Sequence, residues 1–212
     1  MNSFLKYLLV GFSFILYSNI SFAQEQEIGE KYEREEKIKE EEFPKPALEL
    51  IKPILKKGTR TRYFKDHDED TYYFEVKTIY KEEKISIKFY KDGSLLDIEI
   101  LKEFNELPVD IQKHIQQYFQ SNYKKYQLNR IQIQYNREEE YEDGKIEIDD
   151  DEEYVEEFLE LDLEDLIIKY EIEAEVLNED NERGFFEFLF DVEGKTEQIK
   201  KIIKRADDNI LY

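Results

Sequence analysis

The chain has 212 residues, 52 acidic against 31 basic, a formal net charge of −21 and no cysteine. Such a charge argues against nucleic acid and anionic membrane surfaces as partners, since both repel it. The missing cysteine excludes disulfides, thiolate nucleophiles and a lipid-bearing cysteine, and 16 Tyr with 15 Phe exclude a wholly disordered acidic chain.

Residues 1–23 read as a secretory signal peptide. Lys6 precedes an apolar run from Tyr7 to Tyr17, and Ser21 and Ala23 supply the small residues of a cleavage site. The run falls short of the ~20 residues of a membrane-spanning helix. A periplasmic or secreted protein is expected, with no membrane insertion after cleavage. Removing Lys6 with the signal leaves the chain from Gln24 at −22.

Residues 24–42 (QEQEIGEKYEREEKIKEEE) carry almost no large apolar side chain and predict a solvated charged linker or a frayed helix. From Phe43, the spacing of Ala47, Leu48, Ile51, Ile54 and Leu55 predicts a helix that Pro53 kinks or ends and Gly58 closes. Thr71 to Tyr80 alternates, with Tyr72, Phe74, Val76 and Tyr80 on one face, and predicts a strand. A short polar loop leads to a second strand bearing Ile85, Ile87 and Phe89. The turn Lys91-Asp92-Gly93-Ser94 leads to a third with Leu96, Ile98 and Ile100 inward.

Leu107, Ile111, Ile115 and Tyr118 predict a second helix, with Pro108 in its first turn. A strand with Leu128, Ile131, Ile133 and Tyr135 follows. Residues 137–165 then hold 17 acidic and two basic residues, a net charge of −15. Within them KIEI reads as a short strand and YVEEFLEL as a helix or strand. Two alternating strands come next, the first with Ile172, Ala174 and Val176, the second with Phe186, Phe188 and Phe190. Glu193-Gly194 makes a turn, and the last segment is a strand or a helix.

Two registers suggest duplication. At an offset of 101, Gly93 meets Gly194, and Ile85, Ile87 and Phe89 meet Phe186, Phe188 and Phe190. At an offset of 64, Phe43-Pro44 meets Leu107-Pro108, and Ala47, Ile51, Ile54 and Leu55 meet Ile111, Ile115, Tyr118 and Phe119. The offsets differ by 37 residues, about the size of the acidic segment. The expected fold is α+β: two tandem units of a helix packed on an antiparallel sheet (43–104 and 105–212), the second interrupted by an acidic insertion at 137–165.

The run LP-x-x-I-x-x-x-I-x-x-Y at Leu107 to Tyr118, with F-x-x-x-G at Phe89 to Gly93 and Phe190 to Gly194, resembles the PepSY-like (β-lactamase-inhibitor-like) family of exported bacterial proteins. The resemblance spans roughly residues 43–203 and rests on scaffold positions: Phe89, Gly93, Leu107, Pro108, Ile111, Ile115, Phe190 and Gly194. It implies helices on one face of an antiparallel sheet, and binding or inhibition rather than catalysis. The acidic insertion and Pro53 depart from the pattern.

No nucleophile setting, Gly-rich phosphate loop or HExxH motif occurs, and the two histidines, His67 and His114, stand apart in the sequence. No catalytic residue and no cofactor are assigned. Calcium is the one cation considered. Its candidate ligands are Asp66, Asp68 and Asp70 and then Asp149, Asp150 and Asp151, though neither group has a spaced calcium-loop pattern. Tyr72, Tyr73, Tyr80 and Tyr90 form a candidate binding surface. The expected function is an exported, non-catalytic binding module that engages a basic or envelope protein partner through its sheet or acidic insertion. The alternatives are an inhibitor of an exported hydrolase (peptidase or β-lactamase type) and a calcium-binding structural protein.

Overall fold

The structure, a computed structural model, describes residues 28–32, 34–68, 71–136, 139–142, 145–148, 151–160 and 166–203. The expected signal peptide, residues 1–23, therefore lies outside the described residues. The strands are β1 (Ile28–Tyr32), β2 (Arg34–Ile38), β3 (Thr59–Asp68), β4 (Thr71–Tyr80), β5 (Glu83–Phe89), β6 (Leu95–Leu101), β7 (Lys125–Asn136), β8 (Glu139–Glu142), β9 (Lys145–Ile148), β10 (Ile167–Leu177), β11 (Arg183–Phe190) and β12 (Thr196–Ile203). The helices are α1 (Lys45–Leu50), α2 (Lys52–Lys57), α3 (Val109–Asn122) and α4 (Asp151–Glu160).

Ten strands make one sheet in the order β1-β12-β11-β10-β7-β6-β5-β4-β3-β2, and β8 and β9 form a separate pair. All neighbours in the large sheet are antiparallel except β1, which runs parallel to β12. The expectation of two helix-on-sheet units is thus overturned. β7 pairs with β6 on one side and β10 on the other, so a single mixed sheet runs through the whole molecule. Local periodicity places apolar residues on a face but says nothing about which edge pairs with which. Two units that each expose an edge next to the other gain a full ladder of hydrogen bonds by joining.

The helices cover one face. Ala47, Ile51 and Ile54 of α1 and α2 pack on Phe74, Val76, Ile87, Phe89 and Ile98, with Phe43 edge-on to Phe74 at 5.2 Å. Pro53 stands in the first turn of α2, which separates α1 from α2 at Ile51. Ile111, Ile115 and Phe119 of α3 pack on Ile172, Phe188 and Phe190, and Phe119 meets Phe188 edge-on at 4.8 Å. Phe119, rather than Tyr118, completes the buried stripe. Ile133 on β7 touches both clusters and ties them together. A bulge in β6 opposite Lys88 and Phe89 turns Leu95 inward in place of Leu96.

Residues 24–42 are not wholly a linker or helix: β1 and β2 lie within them. They sit at opposite ends of the ten-strand order, yet only residue 33 separates them. Two residues one position apart in sequence lie within about 7 Å of each other, so the sheet must curl until its edges meet. β1 accordingly also contacts β3. Composition suggested a solvated linker because charged segments seldom bury, but here the charges find partners across the sheet. Lys31 pairs with Glu187, and Glu35 with Lys77.

The β4–β5 loop has two residues, Lys81 and Glu82, both at positive φ (48° and 72°), which suits the twist of a tight hairpin. Gly93 (φ 93°) and Gly194 (φ 76°) close matching turns, each donating its N–H to the carbonyl three residues back, at Tyr90 and Asp191. Both turns tuck under a helix. A Cβ on Gly194 would come 2.5 Å from His114 Cβ, and one on Gly93 would come 3.1 Å from Pro44 Cβ. Gly194→Ala is expected to destabilise by more than the ~1–2 kcal/mol of a left-handed backbone alone, and by more than Gly93→Ala. Urea unfolding of the two variants tests this; equal, sub-kilocalorie losses would mean the α3 contact yields freely.

Candidate functional site

The sheet face away from the helices is also largely buried, and its residues are charged. Asp66 (β3), Glu75 (β4), Ser86 and Lys88 (β5), Asp97 and Glu99 (β6), Gln132 and Gln134 (β7), Glu171 (β10) and Glu187 (β11) alternate with the core residues of the same strands. Glu75 is 2% exposed, Glu99 1%, Gln132 2% and Glu171 7%. None of the four helices described above covers this face, so the curl of the sheet itself encloses these groups. Lys31 of β1 reaches into the same interior, close enough to Asp66, Asp97 and Glu171 to act on their ionisation.

Polar contacts link the interior groups. Gln132 Nε2 donates to Glu99 Oε2 at 2.7 Å and Gln134 Nε2 to Asp97 Oδ2 at 3.1 Å. Lys88 Nζ lies 3.5 Å from Glu99 Oε1. Ser86 Oγ donates to Glu75, whose other oxygen is 3.3 Å from Lys77 Nζ. Among the described residues no donor reaches Asp97 Oδ1. The interior holds more carboxylates than cations, and ionisation responds. Burial, then the nearby Glu99 carboxylate, pushes both Asp97 and Glu171 up to about 8. Burial lifts Asp66 to about 6. Burial opposes charge on Lys88 and Glu99 too, but their carboxylate and cationic neighbours outweigh it. Lys88 is held above the usual lysine range and Glu99 below the usual carboxyl range.

At one end of this interior lies a cleft of ≈ 250 Å³ whose lining includes Arg60, Arg62, Lys77, Lys84 and Arg130. Lys77 pairs with Glu35 and Glu75, and Arg130 lies 3.3 Å from Glu173. Arg60, Arg62 and Lys84 make no ion pair among the described residues. In so acidic a chain, a cation-lined cleft is the most unusual local electrostatic feature of the described residues.

The sequence-predicted site residues do not come together. Asp66 belongs to the charged interior. Asp68 follows on β3, near Tyr73. Asp70, Asp149 and Asp150 lie outside the described residues. Asp151 begins α4 and accepts a hydrogen bond from the Leu95 N–H at 2.9 Å, a structural role. Among the described residues no three carboxylate or imidazole groups converge as a metal site. Nor do the four tyrosines form one surface. Tyr80 is buried in the helix-side core and Tyr72 packs edge-on to Phe74 there. Tyr73 and Tyr90 lie on the other face, 6.0 Å apart. Adjacent positions on one strand face opposite ways, which a count of nearby tyrosines ignores. His67 lies 3.0 Å from Glu36, and His114 packs on Gly194.

Neither the charged interior nor the basic cleft was singled out by the sequence. Alternating Lys, Glu, Asp and Gln on a strand reads as a solvent-facing side whether the sheet stays open or curls. The one signal was that the legible strands offered no second apolar face to stack.

Fold and site together define a helix-backed, curled β-sheet protein with a charged interior. No protein-family model matches the chain, and no curated protein matches it in sequence. Two solved structures are similar to it. One is a DUF2874 family protein from Bacteroides ovatus, at 9% identity and TM-score 0.47 over 76% of this chain and 89% of that one. The other is a protein from Bacteroides eggerthii described as periplasmic, at 9% identity and TM-score 0.45 over 74% and 88%. Among the described residues no helix is long and apolar enough to cross a membrane.

Proposed function

We propose an exported, non-catalytic binding module that engages a basic protein partner of the cell envelope through its acidic insertion. Residues 1–23 supply the export signal. The observation that carries the proposal is how the insertion is mounted. Tyr154, Val155 and Phe158 of α4 are buried in the core beside Ile98 and Tyr135, and the Tyr154 hydroxyl donates to the Tyr135 carbonyl. Glu152, Glu153, Glu156 and Glu160 face outward from the same helix. α4, which carries six acidic residues and no basic one, is thereby fixed to a rigid body, where it can steer a cationic partner and fix its orientation. The PepSY-like resemblance, confined to scaffold positions, points the same way, towards binding.

The test is capture of exported host proteins on the immobilised protein, with and without Gln in place of Glu152, Glu153, Glu156 and Glu160, which leaves the buried face of α4 intact. A partner that is basic, is lost with these charges and weakens as salt rises is the expected result. Retention by the neutralised form would move the interface to the sheet. No specific partner in either form would overturn the proposal.

A further inference from the structure

We propose that the cleft lined by Arg60, Arg62, Lys77, Lys84 and Arg130 binds a small organic oxyanion, a carboxylate or phosphate carried on a short apolar stem. Three observations converge on it. The cations of the lining come from three strands, β3, β4 and β5, with Arg130 added from β7, so the strand order itself gathers them. Three of them, Arg60, Arg62 and Lys84, are unpaired by any acid among the described residues. Unpaired guanidinium groups present the planar donor fork that matches carboxylate and phosphate oxygens. Between the cations Ile79 and Leu101 supply an apolar wall, and Ser86 and Gln132 add neutral polar atoms at the inner end.

The second observation is in the backbone. Arg60 has φ 57°, a left-handed conformation that side chains other than glycine seldom adopt, and it sits where the β3–β4 register shifts between Thr59 and Arg62. In an unbroken strand Arg60 and Arg62, two positions apart, would share a face in any case; the extra residue bends β3 at the point where both line the cleft. Bulges that re-aim a side chain are found next to binding sites, and strain held at a non-glycine residue there is maintained by the surrounding fold. A purely structural bulge would be better served by glycine.

The third is size. At ≈ 250 Å³ the cleft falls just below the ~300–1,000 Å³ of sites for drug-sized ligands, so an acid of a few carbons fits and a bulky polyanion does not. No described residue of the acidic insertion lines the cleft, and the two surfaces have opposite charge.

Calorimetric titration of the protein with hexyl phosphate, hexanoate, inorganic phosphate and hexanol tests the inference. Saturable binding of one hexyl anion is expected, at least ten-fold tighter than inorganic phosphate, with none for hexanol. Whether hexyl phosphate or hexanoate wins tells which oxyanion is held. Arg62→Gln is expected to weaken that binding at least ten-fold. Arg60→Gly is the sharper variant, because it relieves the backbone while removing the cation. The melting temperature should stay level or rise while affinity falls. Absence of saturable binding to both hexyl anions, or affinity unchanged in both variants, would overturn the proposal.

Discussion

Replacing Lys88 by methionine is expected to cost about 3–5 kcal/mol of stability at neutral pH, the range seen when one member of a buried ion pair is removed. The side chain stands on β5 with Glu99 and Asp97 of β6, Glu171 of β10 and Glu75 of β4 acting on it from three other strands. Methionine fills much of the same volume, so the loss is electrostatic rather than a cavity effect. What remains is Glu99, 1% exposed, held by the Gln132 amide and more distant cations. Two corollaries separate this account from simple loss of packing. Without Lys88, the main influence holding Glu99 low is gone while its burial still pushes it up, so Glu99 takes a proton more readily in the variant and the deficit of Lys88→Met should shrink on going from pH 7 to pH 5. Adding Glu99→Gln should recover most of the loss, because the double variant leaves no uncompensated charge. Urea unfolding of the single and double variants at both pH values supplies the numbers. A loss below about 1 kcal/mol at pH 7, insensitive to pH, would mean the interior is well hydrated and its ion pairs count as surface pairs.

The elements facing the helices were legible in the sequence, and the interior was not. Ile111 and Ile115 are spaced for one helix face, and Phe74, Val76, Ile87 and Phe89 alternate within strands. These are local periodicities, and local periodicity survives into the fold. The turns at Gly93 and Gly194 were legible for the same reason, since positive φ is a single-residue property. β3, with Thr-Arg-Thr-Arg at its start, and β1 and β2, with one large apolar residue or two apiece, carry no such pattern. They are strands because neighbours offer free ladders and opposite charges. Lys31 meets Glu187 from a position far along the chain, and that pairing cannot be read from residues 24–42 alone. The pairing of β7 with both β6 and β10, which makes one sheet of the whole, is equally non-local. The acidic insertion illustrates both cases: the spacing of Tyr154, Val155 and Phe158 admits a helix, while its seat beside Tyr135 does not follow from spacing.

Stability is expected to fall as pH rises from about 4 to about 8, opposite to the direction set by ordinary salt-bridged carboxylates. Asp97 is pushed up to about 8 by burial and by Glu99, with Glu75 adding to the rise and Lys88 and Lys31 opposing it. Glu171 is pushed up to about 8 by burial, Glu99 and Glu187 against the same two lysines. In the unfolded chain both titrate near 4. Between those limits the folded state binds more protons than the unfolded one, so each proton costs stability at up to about 1.4 kcal/mol per pH unit as pH increases. The contribution is complete below about pH 4 and gone above about pH 8. Glu99, held below its usual range by Lys88, Lys31 and Arg130 against its own burial, acts in the other direction. Its contribution is present above its unfolded value and is lost as pH falls. The two trends meet in the unfolded carboxyl range, so the optimum should lie near pH 4. Asp97→Asn with Glu171→Gln removes the first trend and leaves the second. The contribution of Asp66, lifted by burial to about 6, still declines up to that point, so the doubly substituted protein should show a flat profile from pH 6 to pH 8 where the parent declines, and its advantage should be largest at pH 8. Parallel profiles for the two proteins would show that the interior ionises without cost, through water entering from the cleft that Arg60 and Arg62 line.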